Sequence, residues 1–343
     1  MTASSRLAPL WLCGLLGLAS IATADEPSPA ERQAIEARIQ ALESELDILR
    51  RQLVEEEPRE APSRPSLREE PDEAVLAEIR QRRAFEREST RNPLAITAYR
   101  RNYLLPASFN NRPNGEAFSA ITDANGPSDM EVKFQFSFKV NLLEDLFDDN
   151  GDLFFAFTQR SWWQAYNTDA SSPFRETNYE PEVFLSFDNA WTLLGWTNTR
   201  NRLGFSHQSN GRSNPVSRSW NRLYADLLFQ HGNWAVSVTP HWRIPESDGD
   251  DDNPDIERFM GYGDIGIARR FHGDHEASLV VRGHPSTGNL GSQVDYSWPL
   301  FGNIRGHVQY YYGYGESMID YDHEVHRLSL GFSLNPLFSS HPE

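Results

Sequence analysis

This chain is almost without thiols. Its one cysteine, Cys13, falls inside an N-terminal apolar stretch, which excludes disulfide frameworks, cysteine nucleophiles and cysteine-held metals from everything downstream. Basic residues are also in deficit. Against 49 Asp and Glu stand 32 Lys and Arg, a formal net charge of −17 at pH 7. That balance is a poor electrostatic match for nucleic acid, and no nucleic-acid partner is expected. No apolar run reaches the ~20 residues of a membrane-spanning helix. The run Leu10 to Ile21 follows Arg6 and precedes Ala22-Thr23-Ala24. A basic lead, a short apolar core and an A-x-A end predict a cleaved secretory signal over residues 1–24. The G-x-S-x-G elbow of the α/β-hydrolases is missing too, which disfavours a soluble secreted lipase of that type.

Aromatic residues, by contrast, are plentiful. They make up 12% of the chain, with 9 Trp and 12 Tyr, although mean hydropathy is only −0.60. Over residues 29–55, Ile35, Ile39, Leu42, Leu46, Leu49 and Leu53 recur at alternating spacings of four and three. That is an a/d heptad seam and predicts a short coiled coil, or one amphipathic helix packed on a partner surface. Residues 56–75 are rich in Pro, Glu and Arg and read as a linker. A second charged helix is expected from about 76 to 90, ended by Asn92-Pro93. Residues 25–92 are therefore set apart from residues 93–343.

From about Tyr99 the period becomes two. Val132, Phe134, Phe136, Phe138 and Val140 alternate with Lys133, Gln135, Ser137 and Lys139. Trp234 to Trp242 and Leu328 to Leu334 repeat the pattern. These are strands with one apolar and one polar face. A soluble sandwich alternates in the same way. Tyr and Trp near strand ends, as in Ser161-Trp162-Trp163 and Tyr310-Tyr311-Tyr312, favour the aromatic girdles of a membrane barrel.

The chemistry-bearing segment runs from Phe205 to Arg222. Asn210-Gly211 and Asn214-Pro215 are turn signals between extended flanks. A hairpin centred near Asn214 sets His207 opposite Asn221, and His207 and Ser209, two apart on one strand, share a face. A neutral His207 can take the Ser209 proton and later protonate a leaving alcohol, with an Asn221 amide oxygen orienting the ring. Backbone N–H groups near Ser209 and Gly211 are oxyanion-hole candidates. A histidine and serine two apart are, however, a weak signal alone. Downstream, Asp248 to Asp255 is a dense acidic run, suited to a hard cation such as calcium or to a solvated loop.

At this point the chain resembles a family, the outer-membrane phospholipases A. The matching blocks, in order, are Ser171-Ser172-Pro173-Phe174 on to Glu180-Pro181; Ser209-Asn210-Gly211-Arg212-Ser213; Ser217-Arg218-Ser219-Trp220-Asn221-Arg222-Leu223-Tyr224; Asp251-Asp252-Asn253-Pro254-Asp255; and Tyr314-Gly315-Glu316-Ser317. They span roughly residues 93–338.

The resemblance implies an all-β fold, a twelve-stranded antiparallel transmembrane barrel in the outer membrane, preceded here by the helical segment. It implies calcium-dependent hydrolysis of sn-1 and sn-2 acyl esters of phospholipids and lysophospholipids, at a site on the outer surface. By resemblance His207 is the general base, Ser209 the nucleophile and Asn221 the orienting residue. Calcium is held by Arg212 through its carbonyl, by Ser217 and by Asp252, with Ser171 reaching across from the other copy in an active homodimer. Gln159 matches a polar residue paired across the two-fold. Gln208, where relatives often carry an acid, is expected to point to the opposite face. A non-catalytic outer-membrane pore is the competing reading from another class. The heptad segment departs from the best-known members.

Overall fold

The structure, a computed structural model, describes residues 38, 40, 44, 71–90, 96–123, 126–247 and 249–334. The signal sequence, Cys13, the linker up to residue 70 and the heptad seam lie outside the described residues. Of residues 29–55 only Arg38, Gln40 and Ser44 are described, each helical.

Twelve strands carry the fold: β2 (Asn102–Asn110), β3 (Met130–Leu143), β4 (Asp152–Trp163), β5 (Phe174–Leu193), β6 (Trp196–Ser209), β7 (Ser219–His231), β8 (Trp234–Arg243), β9 (Gly263–Arg270), β10 (Glu276–His284), β11 (Asn289–Phe301), β12 (Ile304–Gly313) and β13 (Val325–Leu334). Each pairs antiparallel with the next in sequence, and β13 pairs with β2 to close the ring. A two-residue strand, β1 (Thr97–Ala98), adds to β3. Closure leaves no open edge, so strand donors and acceptors find partners on neighbouring strands rather than in water.

The period-two pattern decides which way each face turns. On β13, Leu328, Leu330, Phe332 and Leu334 are about half exposed, while Ser329 and Ser333 are buried. On β3, Phe136 is 54% exposed and Lys133 0%. Apolar side chains therefore face outward and polar ones inward, the inverse of a soluble sandwich and the arrangement expected in lipid. The sandwich left open by the alternation is thereby excluded.

The interior is packed with charge. Arg327 pairs with Glu131 at 2.7 Å and Glu316 at 2.9 Å; Lys133 meets Glu316 at 2.8 Å; Arg175 meets Glu131 at 3.1 Å and Asp320 at 2.6 Å. Burial pushes the Glu316 carboxyl up, but Arg327 and Lys133 outweigh it and hold the group at about 2. A second network joins Arg100 to Glu180 and Glu182, and Arg222 to Glu180.

The two ends of the barrel differ. One has tight turns such as Leu194-Gly195, both at positive φ, as a two-residue hairpin requires. The other carries longer loops over residues 164–173, 210–218, 244–262 and 314–324. Trp220, Ile256, Met260, Met318 and Tyr321 form a small buried apolar cluster among those loops. The expected second helix is present as Glu73–Thr90, its start capped by Asp72, which accepts the Ala74 N–H at 2.9 Å. Val75 and Ile79 are buried one turn apart, and Arg82 and Arg83 pair with Asp188 of β5. The chain divides into compact units at Pro65/Ser66, with this helix in the unit of the strands.

Arg327→Ala leaves Glu131 and Glu316 short of a cation in a buried setting, which costs about 3–5 kcal/mol. Urea unfolding of the barrel, followed by its heat-modifiable gel migration, should show the midpoint fall accordingly. An unchanged midpoint would contradict this account of the interior.

Candidate functional site

The β6–β7 hairpin positions His207, Ser209 and Asn221. Its register pairs Phe205 with Leu223, His207 with Asn221 and Ser209 with Ser219, as the hairpin centred near Asn214 required. Along β6 the outward residues are Leu203, 60% exposed, and Phe205, 40% exposed, then His207 and Ser209, both half-buried. An apolar, lipid-facing stripe thus runs directly into the polar pair. The inward face is different. Gln208 is buried and its Oε1 accepts the Trp220 indole N–H at 2.8 Å, so it points away from His207, as expected.

His207 Nδ1 lies 2.9 Å from Asn221 Oδ1. The oxygen is an acceptor, so Nδ1 carries the proton and Nε2 is left with its lone pair. Ser209 shares their face, but among the described residues its hydroxyl is not hydrogen-bonded to the ring. The structure therefore joins two members of the trio directly and sets the third alongside.

Asn210 organises the loop over residues 210–218. Buried itself, its side-chain oxygen accepts the N–H of Arg212 at 3.3 Å and of Arg218 at 3.0 Å, and its amide donates to the Val216 carbonyl at 2.8 Å. Next to it Gly211 takes φ +65, and a Cβ there would meet the Tyr179 ring at 3.2 Å. The Arg212 guanidinium reaches β5, donating to the Phe174 and Arg175 carbonyls, each at 3.0 Å. Gln159, Phe174, Thr177, Tyr179, Asn210 and Arg212 line a groove of about 330 Å3 beside Ser209.

The acidic loop is sorted by its hydrogen bonds. Asp251 pairs with Arg243 at 2.6 Å, Asp250 accepts from Ser247, and Asp255 accepts from Tyr321 at 2.7 Å. Asp252 alone of these turns to Ser217, whose hydroxyl donates to it at 2.5 Å. Its neighbour Asn253, fully buried, accepts the Ser219 N–H at 2.9 Å, and Ser219 is the cross-strand partner of Ser209. The Asp252–Ser217 pair is thereby pinned beside the Ser209–Ser219 pair. Among the described residues no cluster of three His, Cys, Asp or Glu side chains is placed to hold a metal. A cation here would rest on one carboxylate, hydroxyls and carbonyls, an all-oxygen set that suits a hard ion such as calcium. Ser171 stands apart in the β4–β5 loop, exposed and at φ +59; among the described residues no hydrogen bond ties it to Ser217 or Asp252.

Sequence reasoning assigns no role to three residues of this site. Asn210 enters there as half of a turn signal and as a member of a matching block. Asn253 enters within the acidic run and its matching block. Glu246 carried no signal at all, yet it accepts the Asn221 Nδ2–H at 3.0 Å.

A family model described as Phospholipase A1 matches residues 79–334. The chain is 43% identical to a Phospholipase A1 of Klebsiella pneumoniae over 249 residues, 72% of this chain and 85% of that protein. It is 41% identical to the Phospholipase A1 of Escherichia coli K12 over 247 residues, 72% and 84% of the two chains. Among solved structures, the outer membrane phospholipase A of Escherichia coli superposes with a TM-score of 0.68 at 39% identity, covering 71% of this chain and 100% of that one. The outer membrane phospholipase dimer of Salmonella typhi, solved with bound calcium, gives 0.67 at 40% identity, covering 71% and 93%.

Asn210→Ala removes both acceptor bonds that hold the loop, worth about 1–3 kcal/mol. Amide exchange at Arg212 and Arg218 should accelerate about ten- to a hundredfold while the strand amides stay protected. Equal protection in the variant would show that the loop is held by something else.

Proposed function

The chain belongs to the phospholipase A1 family, an outer-membrane barrel acylhydrolase of Gram-negative bacteria, and on that premise we propose that it is a calcium-dependent, dimerisation-activated phospholipase. Its substrates are phospholipids and lysophospholipids, cleaved at the sn-1 and sn-2 acyl esters. The observation that carries this reading is the His207–Asn221 hydrogen bond on the outward face, in line with Ser209 and with the apolar stripe of Leu203 and Phe205.

Ser209 Oγ attacks the ester carbonyl carbon as His207 Nε2 takes its proton. The charged imidazole keeps its Nδ1–H on Asn221 Oδ1, which holds the ring in place. Negative charge collects on the former carbonyl oxygen, within reach of backbone N–H groups near Ser209 and Gly211. His207 then protonates the departing glycerol oxygen, the acyl group stays on Ser209, and water repeats the sequence to release the fatty acid.

An amide gives the imidazolium less stabilisation than a carboxylate would, so positive charge beside the oxyanion matters more here. A calcium ion held by the Arg212 carbonyl, Ser217 and Asp252 supplies that charge when bound. Ser171, exposed and outside that group in a single chain, fits a ligand contributed from a second copy. Gln159 lines the outward groove beside the site and suits a polar contact across that interface. Substrate acyl chains lie against the exterior, where they are already solvated by lipid.

Ser209→Ala should lower fatty-acid release from mixed micelles below about a thousandth of wild type, with heat-modifiable migration unchanged. Retained activity would overturn the nucleophile assignment. Chelation should silence the wild type, and Asp252→Ala should raise the calcium needed for half-maximal rate at least about tenfold, a loss of ~1.4 kcal/mol in binding. A rate indifferent to chelator would remove the metal from the reading. Substrates labelled at sn-1 or sn-2 should both release label.

A further inference from the structure

The Asn221 amide has two ends, and only one of them touches His207. Oδ1 lies 2.9 Å from His207 Nδ1, while Nδ2–H donates to Oε1 of Glu246 at 3.0 Å. Glu246 stands in the loop that leaves β8, half-buried. The same loop is tied to Asn221 a second time, by the Ile244 N–H on the Asn221 carbonyl at 2.8 Å. The carboxylate is thus aimed at the far side of the amide by a segment whose start is itself fixed to that residue.

We propose that Glu246 is a positioning residue for the hydrolysis: it fixes the orientation of the Asn221 amide and passes its negative charge through that amide to His207. This rests on the His207–Ser209–Asn221 reading above and deepens it.

The physical case has two parts. An asparagine amide can turn over at little cost in shape. Turned over, it would present N–H to His207 Nδ1, which would then have to accept. The ring proton would move to Nε2, the atom needed to take the Ser209 proton, and the base would be lost. An ionised carboxylate only accepts, so Glu246 holds the N–H end. A flip would set two acceptors against each other. The second part concerns charge. Polarised by Glu246, the amide oxygen becomes a better acceptor for a charged imidazole. Beside lipid the field is less screened than in water. The family's neutral orienting residue is in this chain backed by an anion one step further out.

Four variants test this in micelles at saturating calcium. Glu246→Ala should lower kcat about ten- to a hundredfold, with KM and the unfolding midpoint unchanged. Glu246→Gln keeps an acceptor for the Asn221 N–H and loses only the charge, so its kcat should fall between those of wild type and Glu246→Ala. Asn221→Asp places two carboxylates together and should be poorly active. Adding Glu246→Gln to Asn221→Asp relieves the repulsion and supplies an N–H to the new carboxylate. The double variant should exceed Asn221→Asp by about tenfold or more, reversing the sign of the Glu246→Gln effect. A merely structural Glu246 would not produce that reversal. If Ser209→Ala is dead while Glu246→Ala matches wild type, or if the double variant gains nothing over Asn221→Asp, the role of Glu246 is overturned and the triad stands. If Ser209→Ala is active, the underlying reading falls first.

Discussion

A strand in lipid has no water to turn to, and that constraint governs the rest of this molecule. Every backbone N–H and C=O in the membrane must be paired by another strand, which forces the sheet to close on itself. Closure of β13 on β2 fixes register all the way round. Register in turn fixes the face of each side chain, because a slip of one residue would exchange the two faces. The outward apolar belt, the charged interior and the placement of His207, Ser209 and Asn221 all follow from that one requirement.

A polar trio on the lipid-facing side of a barrel poses an electrostatic problem. Charged groups on the lipid face of a barrel are destabilising, most of all near mid-membrane. Asn221 orients His207 without adding a charge to that face. The anion that backs it, Glu246, comes from a loop beyond the strands, where water is nearer. Asp252 likewise belongs to a loop and is brought in by the Asn253–Ser219 bond. The strands supply His207, Ser209 and Asn221, and the loops supply the carboxylates of Glu246 and Asp252. The apolar cluster around Trp220, Ile256 and Met318 holds those loops in register with the strands.

Inside, the problem is the opposite one. Charges such as Lys133, Glu131, Arg175 and Arg327 are removed from bulk water and are tolerated because each faces an opposite charge. Buried pairs of this kind add little net stability, but losing one member is costly. The network ties β3, β5 and β13 to the loop over residues 314–324.

Much of this was legible in the sequence. Alternation at Val132 to Val140 and Leu328 to Leu334 announces strands, and the turn signals around Asn214 set His207 against Asn221. Those features are local: period two and hairpin register depend on neighbours in the chain. Which face of the alternation meets lipid was not decidable from period alone, since a sandwich alternates identically. Within the acidic run composition does not distinguish Asp252, which only the resemblance singles out; the structure gives Asp251 to Arg243, Asp250 to Ser247 and Asp255 to Tyr321. Glu246 meets Asn221 across 25 residues of sequence with no spacing rule to predict it. By itself the sequence determined the strands, the hairpin and the facing of His207 and Asn221; only the closed tertiary structure decided which face is outside and that Glu246 reaches Asn221, because those depend on contacts between segments that chain order does not bring together.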